Sequence, residues 1–403
     1  MSGPEIATAP RRYGLAGVFE VFLAAGRLGL TSFGGPVAHI GYFRSEYVTR
    51  RRWLSEEEYA DLVGLAQVLP GPSSSQLGIA IGMLRAGLPG GVAAWLAFTA
   101  PSAVAMIALA GVFRTQDLAD AGWVQGLKLA AVAVVAHAVV SMWRVLVTDW
   151  RRAVLAVVAA AVVLMWSTPF AQVVVIAAGA LLGLALLSAR AIAPVRALEF
   201  GVRRRTGAVA VLVFVTLLLA LPLARGATDD HTVALSESMY RSGALVFGGG
   251  HVVLPLLESQ VVPPGWVSDE DFLAGYGAAQ AVPGPLFTFA GYLGAVEEPS
   301  PNGVLGGTVA LVAIFLPGFL LVVGTLPFWS SLRRHTGFPT ALAGVNAVVV
   351  GLLIAALYRP VFTSGVDSAL GFAIALIAFA ALLLRAPPWA VVLGCVVAGL
   401  VLL

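Results

Sequence analysis

Apolar stretches recur along the whole chain, separated by short polar breaks and by breaks rich in glycine and proline. A helix rising about 1.5 Å per residue needs about 20 apolar residues to cross about 30 Å of hydrocarbon. Stretches at 88–113, 121–147, 169–188, 207–224, 303–328 and 338–358 meet that length. Those at 13–33, 152–166, 232–247, 367–384 and 386–402 predict further crossings, some of them compressed. The pattern predicts an all-α polytopic membrane protein.

Sliding the chain against itself brings out an internal repeat at a spacing of about 214 residues, a duplicated half rather than a solenoid unit. Arg27, Gly29, Phe33, Gly34 and Gly35 fall on Arg241, Gly243, Phe247, Gly248 and Gly249. One residue out of that register, Trp53, Ser55, Glu57, Gly64 and Gln67 fall on Trp266, Ser268, Glu270, Gly277 and Gln280. Pro70, Gly71 and Pro72 fall on Pro283, Gly284 and Pro285. Further on, Gly90, Gly91, Pro101 and Gly126 match Gly306, Gly307, Pro317 and Gly344. The expected organisation is a first transmembrane repeat over 1–188, a linker with one extra helix over 189–230, and a second repeat over 231–403.

Charge then sets orientation, because cytoplasmic loops carry the excess of Lys and Arg. Arg50–Arg52, Arg144, Arg151, Arg152, Arg190, Arg196, Arg203–Arg205, Arg333 and Arg334 are assigned inside. Asp229, Asp230, Asp269–Asp271, Glu297 and Glu298 are assigned outside. The segment after Trp53 thus starts at the cytoplasmic face and its partner after Trp266 at the outer face, so the repeats are inverted. Segments 36–50 and 250–262 are then read as short crossings, and 55–86 and 268–296 as re-entrant helical hairpins. The count is about 13 crossings, with the N-terminus cytoplasmic and the C-terminus outside. Arg11 and Arg12 precede an apolar segment without a clear small-residue cleavage site, so that segment is read as a retained first helix.

Each hairpin is expected to be broken at its Pro-Gly-Pro tip. Proline disfavours helix in the residue before it, glycine permits a sharp turn, and the second proline suits the first turn of the next helix. The free N–H groups of Ser73, Ser74 and Ser75 would then face a cavity at the positive end of a helix dipole, an arrangement suited to an anion. Gly71, Gln76, Gly284 and Thr288 complete the tips, with more hydroxyls on the first copy. Gly34, Gly35, Gly248 and Gly249 mark a second pair of breaks, where tight packing alone is the competing reading. Ionisable groups within apolar spans default to function or to mutual pairing. Arg27 and Arg241 are candidate substrate ligands for a dianion, the alternatives being pairing with Glu20 and Glu237. Lys128, whose repeat partner is Asn346, is a further candidate. Glu46, Asp61, His39, His137 and His251 are candidates for proton coupling, with Glu58 read rather as a solvated partner for arginine.

Composition narrows the class. Charged residues make up 11% of the 403, against roughly 25% in soluble domains. The single Cys395 excludes a disulfide framework and a cysteine metal site. Basic residues cluster at segment ends rather than in an aromatic-interleaved stripe, so no nucleic-acid partner is expected. HExxH, GxSxG, Walker A and dinucleotide signatures are missing, and neither enzyme activity, metal nor cofactor is expected.

The run Gly29–Gly35 with Pro36, the segment Glu46–Leu54, and Leu69–Gln76 resemble the chromate ion transporter family in its two-domain form. Phe247–Gly250, Trp266–Phe272 and Ala281–Pro285 are similar to its second domain. The resemblance implies export of chromate, with related sulfate-like oxyanions, across the inner membrane, driven by membrane potential with proton coupling as an option. Ser73–Ser75 depart from it, since a Glu is expected after this motif in chromate-resistance members. Export of another small or organic anion is the alternative on the same fold, and a lipid-headgroup enzyme the alternative of another class. Membrane lipid is an expected partner, and a homo-oligomer such as a dimer is compatible with the sequence.

Overall fold

A computed structural model of the protein describes residues 14–115, 121–166, 169–187, 202–247, 252–329 and 337–403. Among the described residues all regular structure is helical. Helices α1 (Leu15–Thr31) and α2 (Gly35–Phe43) are separated by a break, and α2 widens into a π-helical coil over Arg44–Arg50. There follow α3 (Glu56–Val68), α4 (Ser73–Thr115), α5 (Gly122–Leu146), α6 (Trp150–Met165), α7 (Pro169–Leu186) and α8 (Arg204–Ala227). The remainder comprises α9 (His231–Leu245), α10 (Val253–Val261), α11 (Asp269–Ala281), α12 (Phe289–Val296), α13 (Gly303–Thr325), α14 (Gly337–Ala356), α15 (Ala369–Leu383) and α16 (Pro388–Leu402).

Five helical stretches are long and apolar enough to cross a membrane: Ser73–Arg114, Gly122–Leu146, Arg204–Ala227, Gly303–Phe328 and Pro339–Gly365. Shorter apolar helices, among them α15 and α16, accompany them. Large apolar side chains such as Leu219 and Leu223 on α8 stand exposed, an arrangement suited to lipid and costly in water. The chain is a multi-pass membrane protein.

Local chemistry sets the element ends. Ser55 caps α3 by accepting from Glu58 N–H at 3.2 Å, and Glu58 Oε2 accepts from Ser55 N–H at 2.8 Å, a closed capping box. Ser268, its repeat counterpart, caps α11 by accepting from Asp271 N–H at 3.0 Å. Within α4, Gly87 has φ +70, and there the chain reverses so that 73–85 and 88–115 lie side by side. Gly82 and Gly90 meet across that pair so closely that a Cβ on either would come within 2.4 Å of the other's carbonyl oxygen. Gly294 of α12 and Gly306 of α13 meet in the same way, within 2.5 Å.

The late helices are exchanged between halves. Helix α14 packs against α6 and α7, whereas α5 packs against α15 and α16. Glycines make both contacts possible: a Cβ on Gly344 would lie 2.0 Å from Gly179 O, and one on Gly126 2.3 Å from Cys395 O. Pro101 and Pro317 lie inside α4 and α13, and each lacks the N–H that would bond the carbonyl four residues earlier. Against those weakened turns pack Gly29 of α1 and Gly243 of α9, where a Cβ would fall 2.6 Å from Phe98 O and 2.1 Å from Ile314 O.

Backbone on both sides of these contacts leaves no flexible side chain to yield. Gly243→Ala is therefore expected to cost about 1–3 kcal/mol through overpacking, read as a lowered thermal midpoint in detergent. Gly41→Ala, where a Cβ meets nothing within 4 Å among the described residues, is expected to stay within about 0.5 kcal/mol of wild type or to stabilise.

Candidate functional site

Buried in an apolar medium, an interrupted helix must find partners for the backbone groups it leaves open. The two Pro-Gly-Pro breaks find them on the two glycine breaks of the opposite half. Gly71 N–H donates to Val246 O at 2.7 Å, and Gly284 N–H donates to Ser32 O at 2.9 Å. Ser32 and Val246 each precede one of the paired Phe33 and Phe247, so the two bonds are equivalents exchanged between the halves. The donating glycines have φ +123 and +109, a region open to glycine and strained for other residues. Each tip also abuts the residue after a helix proline: a Cβ on Gly284 would lie 2.7 Å from Ser102 Oγ, and one on Gly71 3.2 Å from Gly318 Cα.

Around these tips lie polar atoms that are buried and unpartnered among the described residues. Gln76 donates from Nε2 to Pro70 O at 2.8 Å, bracing the first tip, while its Oε1 is unpaired. Ser75 Oγ, Ser32 Oγ, His39 Nδ1 and Thr99 Oγ1 are likewise unpaired. Leaving such a group unsatisfied costs about 1–3 kcal/mol, so water or a bound solute is the expected partner. Helix α4 begins at Ser73, and its first backbone bond is Gln76 N–H to Pro72 O, which leaves the N–H groups ahead of it at the positive end of the helix. Ser73 is half-buried, and Ser74, Ser75 and Gln76 are buried. At the second tip Thr288 spends its hydroxyl on Pro285 O at 2.9 Å. The first tip therefore keeps more free donors than the second.

Each candidate arginine belongs to a polar network of its own half. Arg27 is 3.9 Å from Glu46, which also takes Arg50 at 3.0 Å and Arg51 at 2.6 Å. Glu20 pairs instead with Arg85 at 2.9 Å and Arg51 at 3.8 Å. Arg51 and Arg85 lie over the ring of Trp53 at 5.2 and 5.0 Å. In the second half Arg241 bonds Gln260, the counterpart of Glu46, and pairs with Glu237 at 3.1 Å. Arg225 lies 5.5 Å over Trp266, whose ring also meets His231 edge-on at 4.5 Å, and His231 Nε2 is 3.0 Å from Glu297. Burial pushes the carboxyl of Glu297, in the loop after α12, up to about 8. The two matched tryptophans are thus each covered by arginine, Trp53 by Arg51 and Arg85 and Trp266 by Arg225.

Other candidates are distributed over the fold. His39 is fully buried and its Nε2 lies 3.2 Å from Ser32 O, so it shares that carbonyl with Gly284. Asp61 accepts from Trp329 Nε1 at 3.1 Å, tying α3 to the end of α13. Lys128 is buried on α5 within electrostatic reach of Asp271, and His137 stands half-buried further along that helix near Arg144. Gly34 and Gly35 have φ +93 and +73, with Gly34 exposed. Gly248, Gly249 and His251 lie outside the described residues. Sequence reasoning missed Ser32, Val246, Thr99 and Ser102. Two of these act through backbone carbonyls, which no side-chain pattern reveals; Ser102 and Gly318 were findable as the residues after the matched prolines.

Comparison with known proteins fits this geometry. A family model described as "Chromate transporter" matches residues 19–184 and again 233–400, one match in each half, with α8 between them. The "Probable chromate transport protein" of Synechococcus elongatus is 27% identical over 350 residues, covering 85% of this chain and 84% of that one. The "Chromate transport protein" of Pseudomonas aeruginosa is 28% identical over 343 residues, covering 83% and 79%. That of Cupriavidus metallidurans is 27% identical over 359 residues, covering 87% and 83%. No solved structure matches the chain significantly. With both halves matched and the motif residues gathered at the helix breaks, the chain belongs to the chromate transporter family.

Proposed function

We propose that the protein is a secondary transporter that exports chromate, with sulfate-like oxyanions as related substrates, across the plasma membrane. The observation that carries this reading is the pair of reciprocally bonded tips, because they surround buried, unpartnered polar atoms with the free N–H end of α4. Ser73, Ser74, Ser75 and Gln76 are the principal ligands, with Gly71, Gly34, Gly35, Gly284 and Thr288 shaping the cavity. Arg27, Arg241 and Lys128 draw the dianion toward it. Relatives that carry chromate in their names support the choice of anion.

The reading includes two inverted-topology repeats with the arginine-rich loops inside. Glu20 holds both Arg51 and Arg85, and Arg27 approaches Glu46. These pairs bring Arg51, at the end of the π-helical coil, to Glu20 near the start of α1, which suits 36–50 as a short crossing back to the arginine-bearing face, with about 13 crossings in all, the N-terminus cytoplasmic and the C-terminus outside. A dianion leaving a cell that is negative inside gains about 4.6 kcal/mol per 100 mV, so potential alone suffices to drive export. Coupling to a proton through Glu46 or Asp61 is an additional arm of the same reading.

Chromate flux in proteoliposomes under an imposed potential tests it, with sulfate and organic anions as competitors. A Ser73, Ser74, Ser75→Ala triple variant is expected to need at least about tenfold more chromate for half-maximal flux, the equivalent of about 1.4 kcal/mol of lost anion hydrogen bonding. Arg27→Ala and Arg241→Ala are expected to slow flux and to flatten its dependence on ionic strength. Wild-type flux in all three variants refutes the site, and absence of chromate flux in the wild type refutes the substrate. An imposed pH gradient without effect on flux removes the proton arm.

A further inference from the structure

The two halves repeat each other in sequence, yet one pair of equivalent contacts is made in only one of them. On α11, Leu273, Gly277 and Gln280 form one helical stripe, and α11 packs against α5. Gly277 sits so close that an added Cβ would lie 2.2 Å from Leu127 O. The repeat places Ala60, Gly64 and Gln67 of α3 at the same three positions. The same spacing of four and then three residues puts them on one face. There, an added Cβ on Gly64 would meet nothing within 4 Å among the described residues. Ala60 and Gln67 are exposed, Leu273 is fully buried and Gln280 is half-buried. The repeat equivalent of Leu127 is Val345, one residue after Gly344, the counterpart of Gly126. Helix α3 is held in its present position by Asp61 on Trp329, from the turn beside the open stripe.

We propose that the face of α3 formed by Ala60, Gly64 and Gln67 docks onto α14 at Val345 in the opposite state of the transport cycle, with Gly64 as the residue that permits contact. In the structure α11 is packed on α5 at Gly277 while the stripe on α3 is exposed, and we take the exposed stripe, on the half bearing Arg50–Arg52, as the open side. In the opposite state the roles exchange: Gly64 meets Val345 O as Gly277 now meets Leu127 O, and α11 is released. A glycine with no local conformational need is thereby explained, since the contact that requires it belongs to the other state. Exposed Arg27 and Arg50 lie on the open side, where they would meet an entering anion. This inference rests on the transporter reading for its function, and on the repeat geometry alone for the two positions.

Cysteine accessibility tests it without any substrate. Ala60→Cys and Leu273→Cys, equivalent positions on the two stripes that already carry side chains, are placed singly in a Cys395→Ala background of the full chain, and membrane vesicles of both orientations are treated with an impermeant methanethiosulfonate reagent. Because a minor state is populated at about 0.1–10%, the thiol of the Leu273→Cys variant is expected to react at least about tenfold more slowly than that of the Ala60→Cys variant. The Ala60→Cys thiol is expected to react only from the face bearing Arg50–Arg52. Equal reaction of the two variants overturns the proposal. Gly64→Val supplies the second arm: it is expected to keep the thermal midpoint of the wild type, since its side chain enters open space, while abolishing flux of the carried anion. A Gly64→Val protein that is stable and transports at the wild-type rate overturns the proposal. If the wild type carries no chromate, the labelling comparison still decides the gate; if it carries chromate and labelling is equal, the gate fails and the substrate reading stands.

Discussion

Two backbone hydrogen bonds hold the centre of this molecule: Gly71 N–H to Val246 O and Gly284 N–H to Ser32 O. An interrupted helix inside a membrane exposes N–H and C=O groups that hydrocarbon cannot satisfy. Here four interruptions satisfy one another in pairs across the two halves, so neither half can complete its own breaks alone. The glycines tolerate positive φ, the prolines stop the helices at the required residue, and the prolines at 101 and 317 let the long helices come close to the tips. The late helices reinforce this mutual dependence, with α6 and α7 enclosing α14, and α15 and α16 enclosing α5.

On that shared backbone the two halves have diverged in side-chain chemistry. The first tip is followed by three serines and Gln76, the second by Leu286, Phe287 and Thr288. Glu46 corresponds to Gln260 and His39 to Val253. A frame with twofold backbone logic thus carries unequal polar groups at its two tips. Three arginines surround the buried Glu46, because an isolated buried carboxylate is far costlier than a paired one.

Much of the architecture was legible in the chain itself. Hydrophobic stretches of spanning length are a property of composition and length, and the long helices α5, α8, α13 and α14 fall on them. The matched Pro-Gly-Pro segments end α3 and α11 for local steric reasons, and Ser55 and Ser268 start them through local capping bonds. The helical pair of Glu237 with Arg241 follows from four-residue spacing.

Partnerships between distant segments were not legible. Arg27 meets Glu46 rather than Glu20, a pairing between separate helical segments that residue spacing does not foretell. The carbonyls of Ser32 and Val246 carry no side-chain signature at all. Nor does the repeat foretell that Gly277 is packed and Gly64 is open, since equal sequence permits equal contacts without requiring both at once. The sequence by itself determined the helices, their breaks and the duplication, all of which arise from local sterics, capping and hydrophobic length. Only the tertiary structure decided which break answers which and which of the paired glycines is packed, because those depend on backbone groups brought together from distant parts of the chain.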